Sequence, residues 1–342
     1  MSNLTDVFAP DAFDVYSLTS AIQKIPPQEL GITSTGLFNE VPVAGTLISV
    51  EENNGTLALI PTSSRGGPGT SGADSNRVVR NFRLIHYQVD DNVMADDVLN
   101  VRAFGSNDQT AGVAEVVARK LGIARASLDS SIEYGRSGCV QGSIVYPAGS
   151  IDPTLNVFTA FGTTAPADID FAFTTATTNI VEQIIPQISD AMEVALGSLS
   201  YNGVLVFCGR TFFRTLISHA QVKEIYRDQQ TLIPTAGSPV AFASPNRRQV
   251  TIGNVTFMEY YSVLSGVTSI NASEAHCVPL GTDLFKTFFG PADLIESVGT
   301  MGQKLYARQY AAQDGKSVTL ESQTNPLSLC LRPRCLQKLT MS

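Results

Sequence analysis

Residues 107–138 read NDQTAGVAEVVARKLGIARASLDSSIEYGRSG. Val113, Val116, Val117, Leu121, Ala124, Leu128 and Ile132 recur there at three- and four-residue steps, which lines them along one stripe of a helix. Glu115, Arg119, Lys120, Arg125 and Asp129 fall elsewhere. The spacing predicts one long amphipathic helix over about residues 108–135. Asp108 or Thr110 can cap its first amides, and Gly135, free to turn left-handed, can end it after Tyr134. About 25 residues span roughly 37 Å, long for a domain helix. Gly112 and Gly122 each weaken it relative to Ala, so burial of the stripe must hold it straight.

The rest of the chain has to supply the surface that this helix packs on. With 342 residues and 43% hydrophobic side chains it can bury a large core, and its length implies two or more lobes. A net charge of −8 opposes a surface that wraps nucleic acid, which needs a basic face. The first residues, MSNLTDVFAPD, lack the basic-then-apolar pattern of an export signal, and no apolar run reaches the roughly 18 residues of a membrane span. The expectation is a cytosolic product with no membrane partner. The five cysteines, Cys139, Cys208, Cys277, Cys330 and Cys335, include no Cys-x-x-Cys pair and read as buried thiols.

In chain order, residues 11–36 form an arm with one short helix at 18–25, capped by Ser17 and stopped by Pro26 and Pro27. Residues 46–60 read as extended runs around Asn54-Gly55, a dipeptide suited to a tight turn. Residues 61–76 (PTSSRGGPGTSGADSN) are nearly free of large apolar side chains and must be a loop or tip. Residues 78–90 return with a two-residue rhythm, which makes a long projecting hairpin that buries too little to stand alone. After the long helix, 139–147 and 154–162 read as strands. Residues 179–199 read as a helix with an Asn179–Glu182 capping box and a kink at Pro186. A buried strand (203–209), a helix (210–220), a hairpin about Gly253-Asn254 and a strand (275–280) make an α+β lobe, and strands at 303–309, 317–323 and 327–331 close the chain.

Sites for chemistry are scarce. Gly315-Lys316-Ser317 ends like a phosphate loop, but Tyr310 stands where the first glycine belongs and a strand follows. His86, His219 and His276 have no metal-like spacing, and Asp90-Asp91 and Asp96-Asp97 read as solvated turn residues. No catalytic, cofactor or metal residue is assigned. The alternative in a different class is a small-molecule enzyme or binding module with its site in the 201–300 lobe, at the strand-to-helix turn 208–214.

Four stretches, in this order, carry a resemblance: Leu-Thr-x-x-Ile-x-Lys-Ile-Pro at 18–26, Leu-Ile-Pro-x-x-x-Arg-Gly-Gly-Pro-Gly at 59–69, Asn-Val-Arg-Ala-Phe-Gly at 100–105, and Thr-Asn-Pro-Leu-Ser-Leu-Cys-Leu-Arg-Pro at 324–333. With the order of elements, they make the chain similar to the lambda-type major capsid protein E family of tailed bacteriophages, over nearly its whole length. The resemblance implies an α+β Hong Kong 97-like fold: an N-terminal arm (1–45), an extended-loop hairpin (46–92), a peripheral domain with the spine helix (93–200), an axial domain (201–300), and closing strands (301–342). It implies a shell subunit in hexameric and pentameric capsomers that encloses double-stranded DNA without reading its sequence. Such a virion protein is assembled in the bacterial cytoplasm, with a decoration or cement protein, a scaffold and a portal as its partners. An encapsulin-like cargo shell is the alternative of the same fold.

The hairpin's Arg65, Arg77, Arg80 and Arg83, with the tip residues Gly66, Gly67, Pro68 and Gly69, concentrate positive charge on an acidic chain. They are the candidate contacts to Asp96, Asp97, Asp129 and Glu133 of an adjacent subunit. Residues 46–90 hold no lysine, so the amine that some members of the fold use for an isopeptide cross-link is missing there.

Overall fold

The computed structural model describes residues 15–27, 30–53, 77–94, 97, 109–146, 150–151, 154–173, 179–224, 241–244, 247–260, 263–264, 267–311 and 317–341. They are mixed helix and sheet and divide into two compact units. The first comprises Met1–Ile48, Arg83–Arg136 and Lys286–Ser328, and the second Ser49–Phe82, Ser137–Phe285 and Leu329–Ser342.

The spine of the first unit is the helix Gln109–Gln141, whose 33 residues span about 50 Å. Val116, Val117, Leu121, Ala124, Leu128 and Ile132 are all buried, as their spacing predicts. Most of this stripe packs with Leu18 and Ile22 of the arm helix Val15–Lys24 and with Val93, Leu305, Ala307 and Leu320. Val93 and Leu320 belong to an antiparallel sheet ordered Tyr306–Ala311, Ser317–Thr324, Tyr87–Met94. Ser17 lies inside the arm helix rather than capping it. The returning half of the hairpin is two strands, Arg77–Arg83 and Tyr87–Met94, which join different sheets. The Leu84 and Ile85 amides between them donate to Thr46 O and Pro326 O, which breaks the ladder at that point.

Beside the apolar stripe runs a second, charged row. Arg125, Asp129, Glu133 and Arg136 follow at steps of four, four and three, and all are buried. Arg125 Nε meets Asp129 Oδ2 at 3.3 Å, and its Nη1 donates to the Ile22 and Gln23 carbonyls at the end of the arm helix. Those carbonyls have no helical donors of their own, and a cation there suits the helix dipole. Glu133 Oε1 accepts the Ile32 amide at 2.6 Å, while Oε2 accepts the Thr33 amide at 2.9 Å and hydroxyl at 2.6 Å. Arg136 donates to Thr33 Oγ1 (3.0 Å), Thr287 Oγ1 (3.1 Å) and Glu40 Oε1 (2.9 Å), and lies 5.6 Å from the Phe38 ring centre. Burial pushes the Glu40 carboxyl up, but Lys304 at 3.0 Å and then Arg136 outweigh it and hold it below its ordinary value. Asp129 and Glu133 are therefore engaged by their own subunit and do not face a neighbour's arginines, which corrects that expectation.

The helix also passes Gly135. Residues 137–140 are buried, and a Cβ at Gly138 would lie 2.8 Å from Ile144 Cα, so glycine there permits a close backbone approach. The stop is Gly142, at φ +79°, where a Cβ would fall 2.2 Å from the Phe158 ring.

In the second unit, seven strands run in the order Ile169–Asp170, Gln337–Thr340, Ala275–Leu280, Gly203–Cys208, Val255–Glu259, Arg247–Ile252, Ala241–Ser244. Gly203–Cys208 is buried throughout and is paired on both sides. Ile252 and Val255 pair across Gly253, which sits at φ +64°, as Gly-Asn there predicts. Phe171 meets Phe212 and Phe257 edge-on, at 5.1 and 6.1 Å. Two expected strands are shorter than their apolar runs: only Ser143–Ile144 and Leu155–Asn156 pair, and Val157–Ala160 is a helical turn capped by Asn156. Asn179 caps as expected, accepting the Glu182 amide at 3.1 Å and donating to its carboxylate at 2.7 Å. Pro186 does not kink a continuous helix: a wider π turn, Ile180–Ile184, precedes it, and it falls in the first turn of Ile185–Leu196, where no N–H is needed. All five cysteines are free and buried, and burial raises the thiols of Cys139, Cys208 and Cys277.

Two outcomes follow for stability. Replacing Glu133 by Ala leaves the Ile32 and Thr33 amides and the Thr33 hydroxyl without their acceptor in a dry site, and should cost about 2–5 kcal/mol in a urea titration of dispersed subunits. Glu133→Gln, which keeps one acceptor, should cost less. His276 is buried with Nε2 unpaired, and burial lowers its pKa from 6.5 to about 4. Between those values the unfolded chain takes up a proton that the folded one refuses, so stability is full above pH 6.5 and falls as pH drops toward 4. The loss should approach about 3 kcal/mol, and His276→Gln should flatten the urea midpoint across that window.

Candidate subunit-contact surfaces

The strands Leu47–Asn53 and Arg77–Arg83 form a two-stranded sheet of their own, with Ser49 Oγ donating to Asn81 Oδ1 at 2.8 Å. Alternation puts Ile48, Val50 and Phe82 inward and leaves Leu47 and Val79 65% and 56% exposed. Phe82 packs on Phe161 at 5.3 Å. Arg80 donates to Ala160 O at 3.1 Å and lies 6.0 Å from the Phe161 ring centre. Gly162, at φ +60°, leaves room for it, since a Cβ there would stand 3.2 Å from Arg80 Nη2. Arg80 thus anchors the base of the hairpin. Arg83 is exposed, and Arg77 starts its strand with a side chain outside the described residues. Arg65, Gly66, Gly67, Pro68, Gly69 and Asp96 lie outside the described residues, as do Asn54 and Gly55.

Asp97 is exposed, accepts the Met94 amide at 3.2 Å and stands 3.8 Å from Lys120 Nζ. Lys120 is closer to Asp91, at 2.9 Å, and to Asn92 O, at 2.8 Å. Of the residues chosen from charge alone, Arg83 and Asp97 keep an exposed side chain, whereas Asp129 and Glu133 are interior. Arg136, Glu40 and Lys304 were not singled out. For Arg136 the signal was the continuation of 125, 129 and 133 to 136 on one helix face, which charge counting overlooks; Glu40 and Lys304, far away in sequence, carried none.

The alternative site at the turn 208–214 is filled by the chain itself. The Gly209 and Phe212 amides donate to Glu274 O and Ala272 O, and a Cβ on Gly209 would lie 2.1 Å from Asn271 O. A cavity of about 310 Å³ lies among Gln23, Arg125, Gln303, Lys304 and Leu305. Its cations already face Asp129 and Glu40, so it offers no excess positive charge to an anion. Among the described residues, no group of three or more His, Cys, Asp or Glu is placed to hold a metal ion. No described helix is long and apolar enough to cross a membrane.

Comparison with known proteins gives a consistent result. Residues 14–341 match the family described as phage major capsid protein E. The major capsid protein of Pseudomonas phage KPP10 is 28% identical, over 95% of this chain and 96% of its own. Among solved structures, one described as a capsid protein of an E. coli CFT073 prophage aligns with a TM-score of 0.62 at 13% identity, covering 96% of this chain and 99% of that one. The capsid of Myoviridae phage XM1 aligns with a TM-score of 0.51 at 12% identity, covering 93% and 95%. With a helix-and-sheet fold shared with phage capsids and a family match across nearly its whole length, the chain belongs to the phage major capsid protein E family: it is a major capsid protein of a tailed phage and forms the shell.

Proposed function

We propose that copies of this subunit join through the hairpin formed by Leu47–Asn53 and Arg77–Arg83 and the residues 54–76 that link them. The reading rests on one observation: the strand pair is a sheet of its own, with Leu47 and Val79 exposed on its outer face and Arg83 exposed at its base. Two strands alone are marginal in water and carry open edges, so a neighbouring surface stabilises them. In this reading residues 93–200, with the spine helix, form the peripheral domain and residues 201–300 the axial domain. Arg65, Arg77 and Arg83 meet Asp96 and Asp97 of an adjacent copy, with Gly66, Gly67, Pro68 and Gly69 allowing close approach. Capsomers are hexamers and pentamers, assembled in the bacterial cytoplasm on a scaffold and around a portal.

The shell encloses duplex DNA without gripping it, because a subunit of net charge −8 repels phosphate. Its role is structural and not enzymatic. The shell is held without covalent links, since residues 46–90 contain no lysine to supply an amine, and a cement protein on the outer surface adds the reinforcement.

Two experiments test this. Deleting residues 65–76 should leave a soluble subunit with an unchanged melting temperature that makes no shells by electron microscopy. Normal shells from the deletion would refute the hairpin's role. Particles boiled in detergent and reductant should run as a single band near 36.5 kDa, and a ladder of covalent multimers would sink the non-covalent reading.

A further inference from the structure

Among the described residues of the first unit, three exposed apolar side chains cluster within one turn. In the seven residues from Ile295 to Met301, Ile295 is 93% exposed, Val298 79% and Met301 57%. They recur at three-residue steps on a turn that begins with the helical segment Ile295–Ser297. The neighbouring Leu294 and Ala292 point the other way and are buried with Tyr306.

The turn is held firmly. The Ser297, Val298 and Thr300 amides donate to Leu294 O, Ile295 O and Ser297 O, and Thr300 Oγ1 adds a second bond to Ser297 O at 2.8 Å. Gly299 takes φ +77°, which closes the turn. On one flank Asp293 N donates to Gln323 Oε1 at 2.9 Å and Asn325 Nδ2 donates to Pro291 O at 2.6 Å. On the other Gly302 N donates to Val43 O at 2.9 Å, and a Cβ at Gly302 would meet Phe289 O at 2.0 Å. The chain therefore holds three apolar side chains in water on a fixed support, although the adjacent core already takes Leu294. Local folding does not require that arrangement; a covering surface accounts for it.

We propose that this turn is a contact between capsomers, in which the turns of copies from neighbouring capsomers meet one another around a symmetry axis. The occupant is a second copy of this chain because the protein forms a shell of many copies of itself, and an axis that relates copies brings identical residues together. Size places the contact between capsomers rather than inside one. A patch of three side chains offers on the order of a few hundred Å². A stable protein pair needs about 1,200 Å² or more. Such a contact holds only when many form together on already assembled rings, which is the situation at shell closure.

The test uses full-length protein. All five native thiols are buried, so an oxidant in solution reaches a cysteine placed at position 298 first. Shells of Val298→Cys treated with copper phenanthroline should yield a covalent dimer of about twice 36.5 kDa on a non-reducing gel, and dispersed capsomers should not. The triple variant Ile295→Ser, Val298→Ser, Met301→Ser changes only exposed positions. It should keep its melting temperature and form capsomers, but need at least tenfold more protein to form shells. Shell formation at the unaltered concentration, shells of Val298→Cys that stay monomeric, or cross-linking only to a different protein would each overturn the proposal. Loss of the capsomers themselves would overturn it too, since the turn would then act inside the ring. The proposal rests on the shell-forming role, and failure of the unaltered protein to assemble would identify a failure of that reading instead.

Discussion

The buried charges of the spine helix are the constraint on which much of the first unit depends. A carboxylate or guanidinium removed from water is tolerated only where donors and acceptors meet it on every side. Glu133 is fully buried, and its partners are the amides of Ile32 and Thr33 together with the Thr33 hydroxyl, so the chain after the arm helix has to pass at that level. Arg136, one turn further on, reaches Glu40 and Thr287. Those two residues are register partners in the parallel pairing of Asn39–Pro42 with Phe285–Phe289. One guanidinium thus bridges a strand pair whose members are 247 positions apart in register, and Thr287 continues the network to Ser328 at 3.1 Å on the next strand. The arm, the spine helix and the small sheet are held by the same few polar groups, where a slip of one residue would leave a charge unpaired.

A shell subunit must be stable before its neighbours arrive and must still offer surfaces to them. Here the charge pairs of the spine helix, Arg125 with Asp129 and Arg136 with Glu40, are closed within the subunit. Among the described residues, those left exposed include Leu47, Val79 and Arg83 of the hairpin, Asp97, and Ile295, Val298 and Met301 of the apolar turn. In the proposed assembly, contacts of that kind are individually slight and become decisive in number, which lets misplaced copies leave before the shell closes.

The thiols fit the same division. Cys208 and Cys277 lie in the central strands Gly203–Cys208 and Ala275–Leu280, and burial raises both above the ordinary thiol range. They serve as small apolar side chains. Cys330 and Cys335 approach to 3.7 Å between sulfurs as buried free thiols.

The sequence by itself determined the long helix, its apolar stripe from Val116 to Ile132, the strand Gly203–Cys208, the Gly253-Asn254 turn and the Asn179 cap. Each of these depends on residues close together along the chain, where periodicity or a single special backbone angle carries the information. It also carried the family, through short motifs whose order survives along the chain. Tertiary structure alone decided that the helix passes Gly135 and stops at Gly142, because a glycine reads the same whether it ends a helix or lets Ile144 come close. It alone decided that Asp129 and Glu133 face inward, because the amides and guanidinium that make their burial tolerable come from residues 4 and about 100 positions away, or lie on the same helix face at a spacing that solvent-exposed pairs also use. A charge reads as exposed until its distant partners are in place, and only folding brings those partners to it.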